Sequence, residues 1–138
     1  KNWLEYNFFK KNIPRSADRY DFDVINDIKN YSVEDGAATL VAFTVEAIAV
    51  VLKEFNPNPL EMIVCGGGRH NKAIISLLGR KLDMKISTTE KVGWISDAVE
   101  AQAFAYLAVR SQLGLPISFP ATTGVKEPLT GGKLSSPN

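Results

Sequence analysis

Leu60-Glu61-Met62-Ile63-Val64 runs directly into Cys65-Gly66-Gly67-Gly68-Arg69-His70-Asn71, and the fold of this chain turns on that passage. A short apolar run ending in glycines predicts a buried strand that feeds a tight turn. Behind the turn, Ala73, Ile74, Leu77, Leu78, Lys81 and Leu82 predict a one-sided helix of about three turns. Met84-Lys85-Ile86-Ser87-Thr88 alternates, which predicts a second strand. Strand, helix, strand is a βαβ unit with a parallel pair, so the fold class is α/β.

Three successive glycines leave bare backbone where a side chain would block a ligand, and a helix behind them aims its N–H groups the same way. The usual nucleotide signatures are absent. G-x-G-x-x-G needs glycine where Asn71 stands, and G-x-x-x-x-G-K-[ST] does not occur. Two readings stay open: a tight turn with Asn71 as helix N-cap, or a nucleotide cradle.

The 138 residues fit one domain, and 45% hydrophobic with 22% charged residues describes an ordinary globular chain. A net charge of +1 provides no electrostatic footprint for nucleic acid or an anionic membrane. With one cysteine and one histidine, neither an internal disulfide nor a zinc site can form, and a reducing cytoplasmic setting is the default. Cys65 reads as a small buried residue at a strand end, with His70 its only partner base. The chain does not begin with methionine and carries no basic-then-apolar leader, so it reads as a piece of something larger or a processed form.

Residues 1–31 hold seven of the thirteen aromatics (Trp3, Tyr6, Phe8, Phe9, Tyr20, Phe22, Tyr31) without a sustained period. Such a segment is expected to pack onto another body, one missing here, and to leave the isolated chain prone to self-association. Ser32 with Glu34 and Asp35 marks a helix start, and apolar residues at helical spacing carry that helix to near Phe55, where Asn56-Pro57-Asn58-Pro59 stops it. Between 37 and 52 only Glu46 is charged. That is short of the ~20 apolar residues of a membrane span, and a buried core helix is expected.

After a turn at Gly93, Ser96-Asp97-Ala98-Val99-Glu100 reads as a capping box, with Asp97 as N-cap and Glu100 reaching back to it. The alternative is that Glu100 projects into the crevice at the strand ends. Ala98, Ala101, Ala103, Ala105 and Ala108 predict close packing of this helix, which Gly114-Leu115-Pro116 ends. Residues 119–138 read as an irregular tail. Arg15 and Arg19 flank Ser16 and could clasp an acidic group, and Arg69 either counters phosphate charge or lies on solvent. No general-base histidine, Ser-His-Asp set or metal-holding carboxylate cluster can be assembled, so a complete active site is not encoded here.

Several segments together resemble a known family. Cys65-Gly66-Gly67-Gly68-Arg69-His70-Asn71, Ser87-Thr88-Thr89, the run from Asp97 through Glu100-Ala101-Gln102-Ala103-Phe104-Ala105 to Ala108, and Pro120-Ala121-Thr122-Thr123-Gly124 are similar, in order and spacing, to the C-terminal motifs of anhydro-N-acetylmuramic acid kinases. Arg15-Ser16-Ala17-Asp18-Arg19-Tyr20-Asp21-Phe22 resembles the family's Lys-Ser-x-x-Arg-x-x-Phe, with Arg15 where lysine is frequent, and Asp35-Gly36-Ala37-Ala38-Thr39-Leu40 resembles its next helix. The resemblance implies one lobe, residues 1–138, of the actin-like, sugar-kinase and heat-shock ATPase fold, in which two α/β lobes close over ATP. It implies a kinase that opens the 1,6-anhydro ring of anhydro-N-acetylmuramic acid with water and phosphorylates O6, using ATP and Mg2+. Gly66, Gly67, Gly68 and Asn71 would then lie against the adenosine side, and Glu100 would face the sugar. Arg15 and Arg19 are candidate substrate contacts.

The family's phosphate-binding Gly-x-Ser-x-Asp-Gly segment and catalytic aspartate have no counterpart here, so the chain alone is expected to be inactive without its N-terminal lobe. The small amino sugar and that lobe are the expected partners, with a homodimer open, and neither nucleic acid nor membrane among them. The rival reading is a non-catalytic nucleotide- or sugar-binding module of the same superfamily.

Overall fold

The structure, a computed structural model, describes residues 2–18, 20–55 and 59–135. Its centre is the predicted βαβ unit: β1 (Glu61–Val64), α4 (Lys72–Lys81) and β2 (Lys85–Thr88), after the earlier helices α1 (Asn7–Lys10), α2 (Ile25–Ile28) and α3 (Val33–Leu52). The strands pair in parallel from Glu61 opposite Lys85 to Val64 opposite Thr88, as a parallel pair joined by one helix requires. Lys85 and Glu61 meet at 2.8 Å across the first register pair. Leu78 of α4, buried to 1% exposure, packs in a core shared with Val45 and Ala49 of α3. The expected burial of β1 is not met: Ile63 is 40% exposed and Leu60 91%. Among the described residues the sheet has two strands, so little stands beside β1 to cover it.

α3 starts as predicted. The Ser32 hydroxyl accepts the Asp35 N–H at 3.0 Å, and Glu34 and Asp35 sit in the first turn, where the helix dipole favours them. The helix ends at Leu52 rather than near Phe55, its backbone continuing in single turns through Phe55. Asn56, Pro57 and Asn58, the expected stop, lie outside the described residues. α3 is long and apolar enough to cross a membrane by length and composition, but Glu46 near its middle pairs with Lys81 at 2.6 Å. The expectation of a buried core helix needs correction, since Gly36, Val45 and Ala49 are its buried residues. Its sequence is apolar all round, while α4 and the N-terminal segment cover only part of it.

The aromatic segment closes onto this same chain. Trp3, Phe9 and Phe22 each meet Phe43 of α3 edge-on, at centroid separations of 5.2, 6.3 and 5.5 Å, and Phe8 joins through Phe22 at 5.3 Å. Edge-to-face contact at this spacing aligns the positive ring edge with the negative face. The Trp3 indole N–H donates to Asp27 at 2.7 Å. Three of these rings therefore pack directly on α3 and Phe8 through Phe22, all four remaining half-buried.

α5 (Ser96–Gln112) ends in the predicted manner: Gly114 takes φ 66°, its N–H bonds the Ser111 carbonyl, and the Leu115 N–H bonds that of Arg110. The alanine-rich face was expected to pack closely, yet Ala101, Ala103, Ala105 and Ala108 are exposed, as are Phe104, Tyr106, Val109 and Leu113. The tail is less irregular than expected. α6 (Pro120–Thr123) lies within it, and Ser118 bridges Leu129 antiparallel.

Candidate functional site

Parallel strands place their carboxyl ends side by side, and both connections that carry candidate residues leave from that end. From β1 the chain passes Cys65 and bends at Gly66, whose φ of 71° lies in the region that favours glycine. A single 3-10 turn over Gly67–His70 then leads to Asn71. The Asn71 carboxamide oxygen accepts from the Ala73 and Ile74 N–H groups at 3.1 and 3.2 Å, so Asn71 is the N-cap of α4. Two of the N–H groups expected to face a ligand are thereby used within the chain.

Gly67 and Gly68 are the informative pair. Neither has a positive φ, and a Cβ built on either meets nothing within 4 Å. Packing within the chain therefore gives neither position a reason to be glycine, and open space lies over both.

Arg69 neither lies on solvent nor is left to counter phosphate. Its side chain is 8% exposed and its guanidinium is shared out: Nε donates to Glu90 at 2.9 Å, Nη1 to the Gly66 carbonyl at 2.9 Å, and Nη2 to Asp97 at 2.8 Å. These partners belong to three segments: the glycine turn itself, the 3-10 turn Thr89–Val92 after β2, and the first turn of α5. The Asp97 carboxylate, and next the Glu90 one, hold the guanidinium pKa above its ordinary value. A hydrogen bond from Thr88, ahead of that from Arg69, holds the Glu90 carboxyl below its ordinary value.

The capping box at α5 does not form. The N-cap is Ile95, two positions before Asp97, and its side chain makes no capping bond. Asp97 sits inside the first turn with its carboxylate turned to Arg69, because a guanidinium offers a charged, directional donor that a helix N–H does not match. Glu100 is exposed, one turn after Asp97 and on the same side of the helix. Cys65, expected to be buried, is exposed, since the strand it follows is not covered.

Arg15 does clasp an acidic group, but the group belongs to its own chain. Nη1 donates to Glu54 at 2.8 Å and Nη2 bonds the same carboxylate, while the guanidinium lies 5.0 Å from the Phe8 ring centroid. The Arg15 side chain is 5% exposed. Arg19 lies outside the described residues. Among the described residues no group of three or more His, Cys, Asp or Glu side chains is arranged to hold a metal.

A family model described as anhydro-N-acetylmuramic acid kinase matches residues 1–136. The chain belongs to this family. A protein of Caulobacter vibrioides named anhydro-N-acetylmuramic acid kinase is 48% identical over 131 residues, 95% of this chain and 35% of the relative. Proteins of the same name from Phenylobacterium zucineum and Zymomonas mobilis are 46% and 47% identical, each with 36% of its length covered. The chain thus spans about 35% of the length of the curated kinases it matches. In this chain the motifs Cys65–Asn71 and Asp97–Ala108 are joined physically by Arg69, a link that motif reading missed. Its signal was slight, an arginine beside glycines with acids 21 and 28 residues further on.

Proposed function

We propose that this chain is the C-terminal lobe of an actin-like, two-lobe kinase that hydrolyses the 1,6-anhydro ring of anhydro-N-acetylmuramic acid and phosphorylates O6 from ATP in cytoplasmic cell-wall recycling. The open space over Gly67 and Gly68, at the carboxyl end of a parallel strand pair, carries this reading. Backbone that no side chain shields and no neighbour fills suits the flat face of a nucleotide, and the residues present fit that group. Gly66, Gly67 and Gly68 form the adenosine-side wall. Asn71 keeps its amide N–H donors for the nucleotide while its oxygen caps α4.

Mg2+ would travel with the phosphates, since no carboxylate group among the described residues is set to hold it. Bound ATP supplies the transferable phosphoryl group. Glu100, exposed on the side of α5 that Asp97 ties to the glycine turn, faces the sugar end and orients its hydroxyl or the attacking water through its charge. By itself the chain transfers no phosphate, because transfer needs phosphate contacts and a base held in line with the acceptor.

Gly67→Val in the full-length kinase tests the wall. A Cβ at this position meets nothing within 4 Å, so the protein should fold, while the nucleotide loses its space. Separate titrations should show ATP affinity reduced tenfold or more and sugar affinity nearly unchanged. Equal loss of both, or of neither, would return the glycines to a structural turn.

A further inference from the structure

The least exposed charge at the candidate site is Arg69, which makes no use of solvent and touches none of the atoms assigned to ligand binding except the Gly66 carbonyl. That carbonyl accepts twice, from Nη1 at 2.9 Å and from the Arg69 backbone N–H at 3.3 Å. The Gly66–Gly67 peptide is trans, so its N–H points opposite to its C=O. With the carbonyl drawn toward the guanidinium, the Gly67 N–H is turned away from Arg69. On the other arm, Nη2 holds Asp97, and Glu100 follows Asp97 by three residues on the same helix face. One planar group thus bonds both a peptide carbonyl of the glycine turn and a carboxylate in the first turn of α5. Glu90 braces the guanidinium from the third side at 2.9 Å.

We propose that Arg69 is a positioning residue that couples the two ends of the cleft, fixing the Gly66–Gly67 peptide toward the nucleotide and, through Asp97, fixing Glu100 toward the sugar. This rests on the nucleotide-wall reading above. A lysine cannot replace it, because a point charge on a flexible stem cannot make three bonds in three fixed directions at once.

The test uses the full-length kinase with Arg69→Lys, Asp97→Asn, the double variant and Gly67→Val. ATP and sugar affinities are titrated by calorimetry, with kcat and thermal melting measured alongside. Arg69→Lys should weaken ATP binding and lower kcat, each by about tenfold or more. Asp97→Asn should lower kcat by about tenfold while ATP affinity stays within about threefold, a split that loosening of the fold would not produce. The double variant should fall no lower in kcat than Arg69→Lys alone, as expected of residues acting through one contact.

ATP affinity of Arg69→Lys at the wild-type level overturns the proposal, as do parallel losses in Asp97→Asn or additive losses in the double variant. Should Arg69→Lys fail to fold, the Asp97→Asn split decides alone. If Gly67→Val binds ATP as the wild type does, the nucleotide wall itself has failed. If Gly67→Val loses ATP while Arg69→Lys does not, only the coupling has.

Discussion

At the scale of single residues, Glu100 has been released from the role that its spacing suggested. With Ile95 as N-cap, no backbone N–H waits for its carboxylate, so Glu100→Gln has no cap to weaken. The expected outcome in the full-length kinase is a melting temperature within about a degree of wild type and turnover reduced roughly ten- to a hundredfold, the scale of a weakened polar catalytic contact. Unchanged turnover would leave Glu100 a solvated surface residue. Glu54 gives a second residue-scale prediction. Its hydrogen bonds from Arg15, and secondarily the charge of that guanidinium, hold its carboxyl below the ordinary carboxylate value. A group whose pKa is depressed by folding stabilises the fold above its unfolded pKa, and that contribution is lost as pH falls through the folded value. Thermal melting followed from neutral pH downward should therefore fall on the acid side of the ordinary carboxylate range, and Glu54→Gln should flatten that limb. A pH curve identical in the variant would mean that the Arg15–Glu54 contact carries no linkage.

At the scale of elements, the strands, the helix between them and the glycine stop on α5 were legible because each is a local pattern: alternation, 3.6-residue spacing, a glycine at positive φ. What escaped was whatever depended on a distant partner. Asp97 looked like a cap because Glu100 follows it by three, yet the group that claims its carboxylate is Arg69, 28 residues away. Arg15 looked like a ligand clasp because Glu54, 39 residues on, cannot be seen from residues 15–19. Burial failed at α3, β1 and α5 for a related reason: apolar content records every neighbour an element was selected to meet, whereas exposure records only those present. The aromatic cluster allows a direct check. Phe43 is the ring onto which Trp3, Phe9 and Phe22 close, so Phe43→Ala should remove the anchor of the N-terminal segment. The cost expected is about 2–3 kcal/mol, below the 3–5 typical of a fully enclosed ring because Phe43 is half-buried. Chemical denaturation measures it, and limited proteolysis should cut first within residues 2–18. A loss under about 1 kcal/mol would mean that the cluster is decorative.

At the scale of the whole molecule, Val24, Val45, Ala49 and Leu78 are the buried apolar residues among the described residues, a slight core, and much of α5 offers apolar side chains to solvent. Phe104, Tyr106, Val109 and Leu113 are each more than half exposed along it, the kind of apolar surface that marks an interaction face. The isolated chain should therefore associate, and light scattering should report a mass that rises with concentration. A sharp monomer at high concentration would mean that this face is content in water. The two-stranded sheet has a further consequence. Outside the β1–β2 ladder, each strand among the described residues presents one row of backbone N–H and C=O groups with no neighbouring strand to receive it. In a finished sheet those rows are where adjoining strands dock. In a chain severed by proteolysis, they are templates, able to recruit any extended peptide of suitable pattern. Loss of the adjoining strands would thus turn such a segment into a seed for aggregation, and its abundance in a cell would be governed by chaperones and proteases rather than by its own equilibrium stability.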